Sequence, residues 1–221
     1  QLVSAKRQQA LGKAKAKPKF RDILSKSRAI NILSAARLFL FGARDVWFVV
    51  ALPVYLSTVF GWDFWMVGGF LATWIIGYGI VQSFAPALTG KRSGHVPDGR
   101  AAFIWAALLA GIPVVIALGL DSDWPKQAVL VGGLLIFGGV FAINSSLHSY
   151  LIVSYAKEDG VSLDVGFYYM SNALGRLVGT LLSGWVFQQY GLETCLWVSS
   201  GFVVLAALIS IGLPRHQQPT T

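Results

Sequence analysis

Apolar residues in this chain come in long unbroken runs, with neither a two-residue alternation nor an amphipathic stripe to interrupt them. Six runs can be marked: Ile30 to Phe60, Phe64 to Leu88, Ala101 to Leu120, Gln127 to Tyr155, Phe167 to Tyr190, and Leu192 to Leu213. At about 1.5 Å per residue, even the shortest reaches the roughly 30 Å of a bilayer's hydrocarbon core. Strands of a membrane barrel would be about ten residues long and alternate in polarity. These runs are longer and rich in Leu, Ala, Val, Ile and Gly. They predict an all-α membrane protein, a bundle of six transmembrane helices over 30–213, with 1–29 as a basic cytoplasmic linker and 214–221 as a cytoplasmic tail.

Composition agrees. Hydrophobic types make up 55% of the 221 residues and charged types 13%, about half the charged fraction of a soluble domain. That excludes a disordered chain and argues against a soluble nucleic-acid binder, so nucleic acid is not an expected partner and the lipid bilayer is. The single cysteine, Cys195, lies inside an apolar run, which rules out an intrachain disulfide and a CxxC metal site. The chain starts at Gln1 without an apolar signal core and is read as a fragment or processed product.

The net charge of +8 is unevenly placed. Nine of the 18 basic residues precede Ile30. With six crossings both ends share one side, which then holds 14 basic residues against Lys126 alone on the other, three arginines being left inside the spans. By the positive-inside rule both termini are cytoplasmic. Phe60, Trp62, Phe64, Trp65, Trp124 and Tyr190 mark the outer boundary as an aromatic belt. The lead-in reads as a solvated linker near anionic headgroups.

Polar groups within a bilayer are costly and mark function or a partner. Here they are few. The first run holds Arg37, Arg44 and Asp45, the fourth Asn144 and His148, the fifth Asn172 and Arg176, and the second only Gln82. The third and sixth carry no interior charge and are expected to face lipid. Arg44 and Arg176 fall near mid-bilayer, about 21 and 14 Å along their helices from the cytoplasmic end. Arg37 lies two turns below Arg44 on the same face and is expected to snorkel to the cytoplasmic mouth. Adjacent residues point about 100° apart, so Asp45 is expected to pair with Arg176 rather than Arg44.

Two readings of these charges stand. In one, an Arg176–Asp45 bridge locks helices together. In the other, Arg44 and Arg176 present guanidinium forks to an oxyanion at the midplane. Three arginines against one aspartate favour the second, because surplus charge in low dielectric calls for an anionic guest or another chain. Asp45 then orients the arginines or carries a proton, and protons are a candidate coupling ion. Asn144 and Asn172 are inter-helix glue or auxiliary substrate donors, and Arg37 is a secondary site. His148 is expected at the inner interface as a hydrogen-bonding residue. Gly175, Gly179 and Ser183 form a small-xxx-small stripe suited to close helix packing. The Gly132, Gly133, Gly138, Gly139 cluster reads as packing or a hinge. No HExxH, G-x-S-x-G, P-loop or paired carboxylate is present, so an enzyme, a metal and a cofactor are not expected.

Six spans, short loops, a basic lead-in and the charged turn Gly90 to Arg100 resemble the C-terminal half of a major facilitator superfamily transporter. The resemblance implies half of a twelve-helix fold, a bundle of two inverted three-helix repeats, with the missing N-terminal six-helix half as partner. The stretch Asn172-Ala173-Leu174-Gly175-Arg176-Leu177-Val178-Gly179-Thr180 looks like the eleventh helix of such proteins. Ala36 to Val50, Phe60 to Trp65, Gly77 to Gln82 and Pro97 to Arg100 are similar to the organoarsenical efflux permeases of bacterial arsenic-resistance operons. That likeness implies a multi-pass protein of the bacterial inner membrane exporting 1-arseno-3-phosphoglycerate, made by a companion glyceraldehyde-3-phosphate dehydrogenase. The residues favour such a guest over arsenite: soft trivalent arsenic wants several thiolates, whereas a phosphorylated arsenate ester presents hard oxyanions suited to arginine.

Overall fold

Proline and glycine decide where the apolar runs break into helices. A computed structural model describes residues 27–88, 97–156 and 161–214; the basic lead-in, the Gly90 turn with Lys91 and Arg92, Lys157, and the tail from Arg215 lie outside them. The elements are α1 (Arg28–Phe48), α2 (Ala51–Thr58), α3 (Phe64–Leu88), α4 (Gly99–Asp121), α5 (Lys126–Tyr155) and α6 (Val161–Ser210). All are α-helices, and among the described residues five helical stretches are long and apolar enough to cross a membrane, α1 and α2 together making the first.

The expected fifth and sixth runs follow one another along Val161–Ser210 as two helical rods joined at non-helical Gly191 (φ 84°). Positive φ is open to glycine at little cost. Straight, the element would reach about 75 Å. Instead it doubles back: Gly42 of α1 is approached by both Gly175 on the first rod and Phe202 on the second, positions about 40 Å apart on a straight helix.

The first run also breaks. Proline at position 53 has no N–H and its ring collides with the carbonyl four residues earlier, here Val49, where α1 gives way to α2. The backbone N–H groups at the break are not left bare. Ser183 Oγ accepts from Val50 N at 3.3 Å and from Ala51 N at 3.1 Å. Near Pro113 inside α4, Ser200 Oγ donates to the carbonyl of Ala110 at 2.8 Å. Membrane helices tolerate proline when a neighbour supplies such a partner.

Packing centres on α1 against α6, the most extensive helix contact in the fold. The small stripe on α6 makes it possible. A Cβ on Gly175 would collide with the Leu38 carbonyl, and one on Gly179 would sit 2.6 Å from the Gly42 carbonyl. On the other flank Trp74 of α3 donates Nε1–H to the Leu134 carbonyl at 3.0 Å and lies where a Gly138 side chain would be. Gly133 likewise accepts Ile116, and Gly119 accepts Val129. These glycines are contact surfaces.

Of the pair expected to face lipid, the third run exposes Ile104, Leu108, Val115 and Leu118 on one side and packs on neighbours with the other. α4 packs on α5 and α6, while α3 is the outlying helix, with 6% of its most apolar window buried against 39% for α4. Absence of charge suits a helix to lipid and to a protein core equally, so the distinction falls to shape, and α4 offers Gly119 and Ala-rich turns that neighbours enter. A smaller cluster of Ile30, Leu33, Ala102, Leu151, Tyr168 and Leu213 closes one end of the bundle, where the Pro214 carbonyl accepts from Gly99 N and Tyr155 OH, each at 3.2 Å. At the other end Phe64 and Trp65 stand more than 80% exposed.

Two outcomes are expected from this packing. Gly179→Val should force α1 and α6 apart and cost about 1–3 kcal/mol or more, read as an earlier thermal transition in detergent, whereas Gly139→Ala, whose Cβ meets open space, should leave the transition in place. Ser183→Ala strands two buried backbone donors and should cost about 1–3 kcal/mol; Ser183→Thr, which keeps the hydroxyl, should recover most of it.

Candidate functional site

One face of α1 carries Arg37, Phe41 and Arg44 at helical spacing, and α6 is pressed at Gly175 and Gly179 against the adjoining face of Leu38, Gly42 and Asp45. Asp45 is the organising group. Its side chain is 1% exposed, and its two oxygens are divided between two arginines. Oδ2 accepts from Arg176 Nε at 3.0 Å, the pairing that sequence predicts. Oδ1 lies 2.6 Å from both Nε and Nη2 of Arg44. The expectation that neighbours on a helix cannot pair fails here. A directional argument from Cβ vectors holds for short side chains, but the long arginine stem sweeps around the helix and brings its head back to the next residue. Glycine at 179 is what lets the carboxylate reach α6, since a Cβ there would stand 3.0 Å from that of Asp45.

The two arginines held by Asp45 differ in access. Arg44 is 13% exposed and Arg176 55%. Arg176 engages the carboxylate through Nε. A charge taken from water costs several kcal/mol even after relaxation, and removing one partner of a buried pair is more damaging than the pair is stabilising. The cluster is therefore held by mutual need.

Arg37 does not snorkel. It is 5% exposed, with Nε donating to Asn172 Oδ1 at 3.1 Å and Nη1 to the Ser145 carbonyl at 3.2 Å and hydroxyl at 3.4 Å. Its guanidinium carbon sits 3.9 Å from the centre of the Phe41 ring and 5.0 Å from that of Tyr168. Packing of α1 between α5 and α6 closes the route to the headgroups and substitutes neutral oxygens and π faces for water. Arg37 thus joins α1, α5 and α6. Phe41 also faces Arg44, at 5.1 Å, and Phe141 of α5 faces Arg44 at 5.4 Å.

The remaining polar candidates separate. Asn172 stands beside the arginines as an acceptor for Arg37. Asn144 is fully buried, its amide nitrogen donating to the Trp105 carbonyl of α4 and the Val140 carbonyl of its own helix, both at 3.0 Å; it binds helices together at a distance from the Asp45 cluster. His148 is 1% exposed, covered by neighbouring helices. Counting residues along α5 gave its depth but not that neighbouring helices cover it. Sequence reading missed the aromatic walls. Phe41, four residues after Arg37, carried a visible signal; Phe141, Tyr168 and Ser145 reach the arginines only through the fold.

A surface hollow of about 300 Å³ lies between α3 and α5, walled by Phe70, Trp74 and Tyr78 over Gly77, Gly138 and Gly139. A series of rings lies between it and the cluster. Trp74 lies parallel to Tyr78 at 5.7 Å, Tyr78 is 5.9 Å from Phe141, and Phe141 is the ring against Arg44.

No curated protein matches the chain. The family comparison is positive: long apolar helices, a glycine-lined α1–α6 contact and ionic groups confined to the bundle are accompanied by a match to the model of the Major Facilitator Superfamily over residues 33–221, and the chain belongs to that family of multi-pass membrane transporters.

Proposed function

We propose that this chain is the carboxyl-terminal half of an exporter of organic oxyanions, with Arg44 and Arg176 as the anion ligands, Asp45 as their orienting and proton-exchanging partner and Asn172 as an auxiliary polar group. The observation that carries the reading is Arg176: more than half exposed, yet tied by Nε to a carboxylate that is almost wholly buried. A guanidinium used only as a structural bridge gains by burying its fork against its partner. One that stays more than half exposed while paired has capacity left for an oxyanion. The surplus of arginine over aspartate supports the same assignment. Arg37, shut in by Asn172, Ser145 and two rings, is reassigned from the mouth of the pathway to positioning of the α1–α6 contact, and Asn144 to helix packing.

In this reading α6 supplies the fifth and sixth crossings, divided at Gly191, both termini are cytoplasmic, and a second six-helix half completes the alternating-access unit around the midplane site. The resemblance to organoarsenical permeases supports 1-arseno-3-phosphoglycerate as the substrate, export across a bacterial inner membrane as the direction, and arsenic resistance as the outcome. Protons are the proposed coupling ion, because an anion that takes Arg176 from Asp45 leaves a carboxylate to be neutralised.

The competing reading, in which the arginines are purely structural, draws on the double pairing of Asp45. Binding and stability separate the two. Arg176→Gln should weaken binding of the arsenylated triose acid about tenfold or more while the folded protein persists, since bidentate charge-assisted contacts are each worth about 1.5–3 kcal/mol. Asp45→Asn should instead destabilise by about 3–5 kcal/mol, as removal of one member of a buried pair does. Loss of folded protein in Arg176→Gln, or unaltered binding, would favour the structural reading. Affinity is checked by equilibrium dialysis of the reconstituted protein and stability by thermal unfolding.

A further inference from the structure

Arg37 is the arginine that the Asp45 cluster leaves over. Among the described residues both ion pairs belong to Asp45, so Arg37 is enclosed as a cation among neutral partners: the Asn172 amide, the Ser145 carbonyl and hydroxyl, and the ring faces of Phe41 and Tyr168. Dipoles and rings solvate a charge without cancelling it. A buried ion that lacks a counter-charge is strongly disfavoured.

Groups one turn away show the complementary deficit. Ser34 precedes Arg37 by three residues on α1, His148 follows Ser145 by three on α5, and Tyr168 precedes Asn172 by four on α6, so each shares a helix face with a member of the Arg37 contact. α1 and α6 begin at the end of the bundle where α5 finishes, the end closed by Ile30, Leu33, Leu151 and Tyr168. All three steps therefore run toward that end, and the side chains converge beneath the guanidinium: the Tyr168 ring centre is 5.0 Å from its carbon, and His148 lies within its electrostatic reach. The Ser34 hydroxyl, His148 Nδ1 and the Tyr168 hydroxyl are buried and have no hydrogen-bond partner among the described residues. Ser149, beside Tyr168, directs its own proton to the Ser145 carbonyl at 2.9 Å. Each of the three unpaired groups can donate, His148 in the tautomer that carries its proton on Nδ1.

We propose that Ser34, Arg37, His148 and Tyr168 form a binding site for a compact monovalent anion, a halide such as chloride, held as the resident counter-ion of Arg37. Donors from three helices around one cation match a ligand that only accepts and carries negative charge. Water would satisfy the hydroxyls and leave the charge uncompensated. The apolar closure of this end suits a single-atom ion and not a tetrahedral oxyanion. The site is separate from Arg44 and Arg176, which stand on the other side of Arg37 from the closed end and share Asp45.

The test uses chloride itself. With ionic strength held constant by sodium gluconate, sodium chloride should raise the thermal transition of the chain in detergent along a saturating curve; bromide should replace it and sulfate should not. Ser34→Ala and Tyr168→Phe each remove one donor and should raise the half-saturating chloride concentration about twofold to tenfold, the loss expected for one hydrogen bond. Arg37→Gln should abolish the chloride response, and where that variant does not fold the two hydroxyl variants decide. Arg176→Gln should leave the response as in wild type. A wild-type transition indifferent to chloride assigns the unpaired groups to water and overturns the proposal. An unchanged half-saturating concentration in both hydroxyl variants overturns it too, as does a response lost in Arg176→Gln, which would place the ion at the Asp45 cluster.

Discussion

A carboxylate that cannot be left alone holds this structure in register. Asp45 is buried between α1 and α6, where an unpaired charge is untenable, and it is accommodated by Arg44 from its own helix and Arg176 from the facing one. That arrangement requires the two helices to approach until backbone meets backbone. Gly42, Gly175 and Gly179 permit the approach. The ionic group and the glycine stripe are thus one device: the stripe brings the carboxylate within reach of Arg176, and the pairing fixes which faces meet.

The same constraint accounts for features that look separate. A tight α1–α6 contact places Ser183 opposite the proline-induced break after Phe48, so the hydroxyl meets the two stranded N–H groups there. It also sets Asn172 opposite Arg37, one turn closer to the sealed end. Two of the arginines on α1 share the Phe41 ring, yet neutral oxygens hold the first and a carboxylate holds the second. Equal residues acquire unequal roles because burial differs: Arg37 is enclosed, Arg44 nearly so, and Arg176 open.

Much of the fold was legible in the residues. Run length and continuity gave helices and a membrane, because a 30 Å apolar slab admits few other solutions. The Gly175–Gly179–Ser183 spacing gave a packing face, and the scarcity of intramembrane charge narrowed the site to a handful of side chains. Less legible were matters of orientation around the bundle. The third helix, with Gln82 as its polar candidate, and the fourth, uncharged between Arg100 and Asp121, read alike, but α4 is packed into the bundle and α3 stands out from it. Arg37 counted as shallow by depth alone and proved enclosed. The Arg44–Asp45 contact defied a rule about neighbours because that rule describes Cβ directions and not the reach of a long stem.

Sequence by itself determined what is local or set by the solvent: an all-helical membrane chain, the residues able to carry charge in it, the glycine that turns α6 and the family over residues 33–221. Tertiary structure decided which of those charges meet, which are sealed and which stay open, and it assembled the aromatic groove from α3 and α5. Pairing and access depend on how helices rotate against one another, and that rotation is fixed by contacts between residues more than a hundred positions apart, such as Asp45 with Arg176 and Arg37 with Ser145.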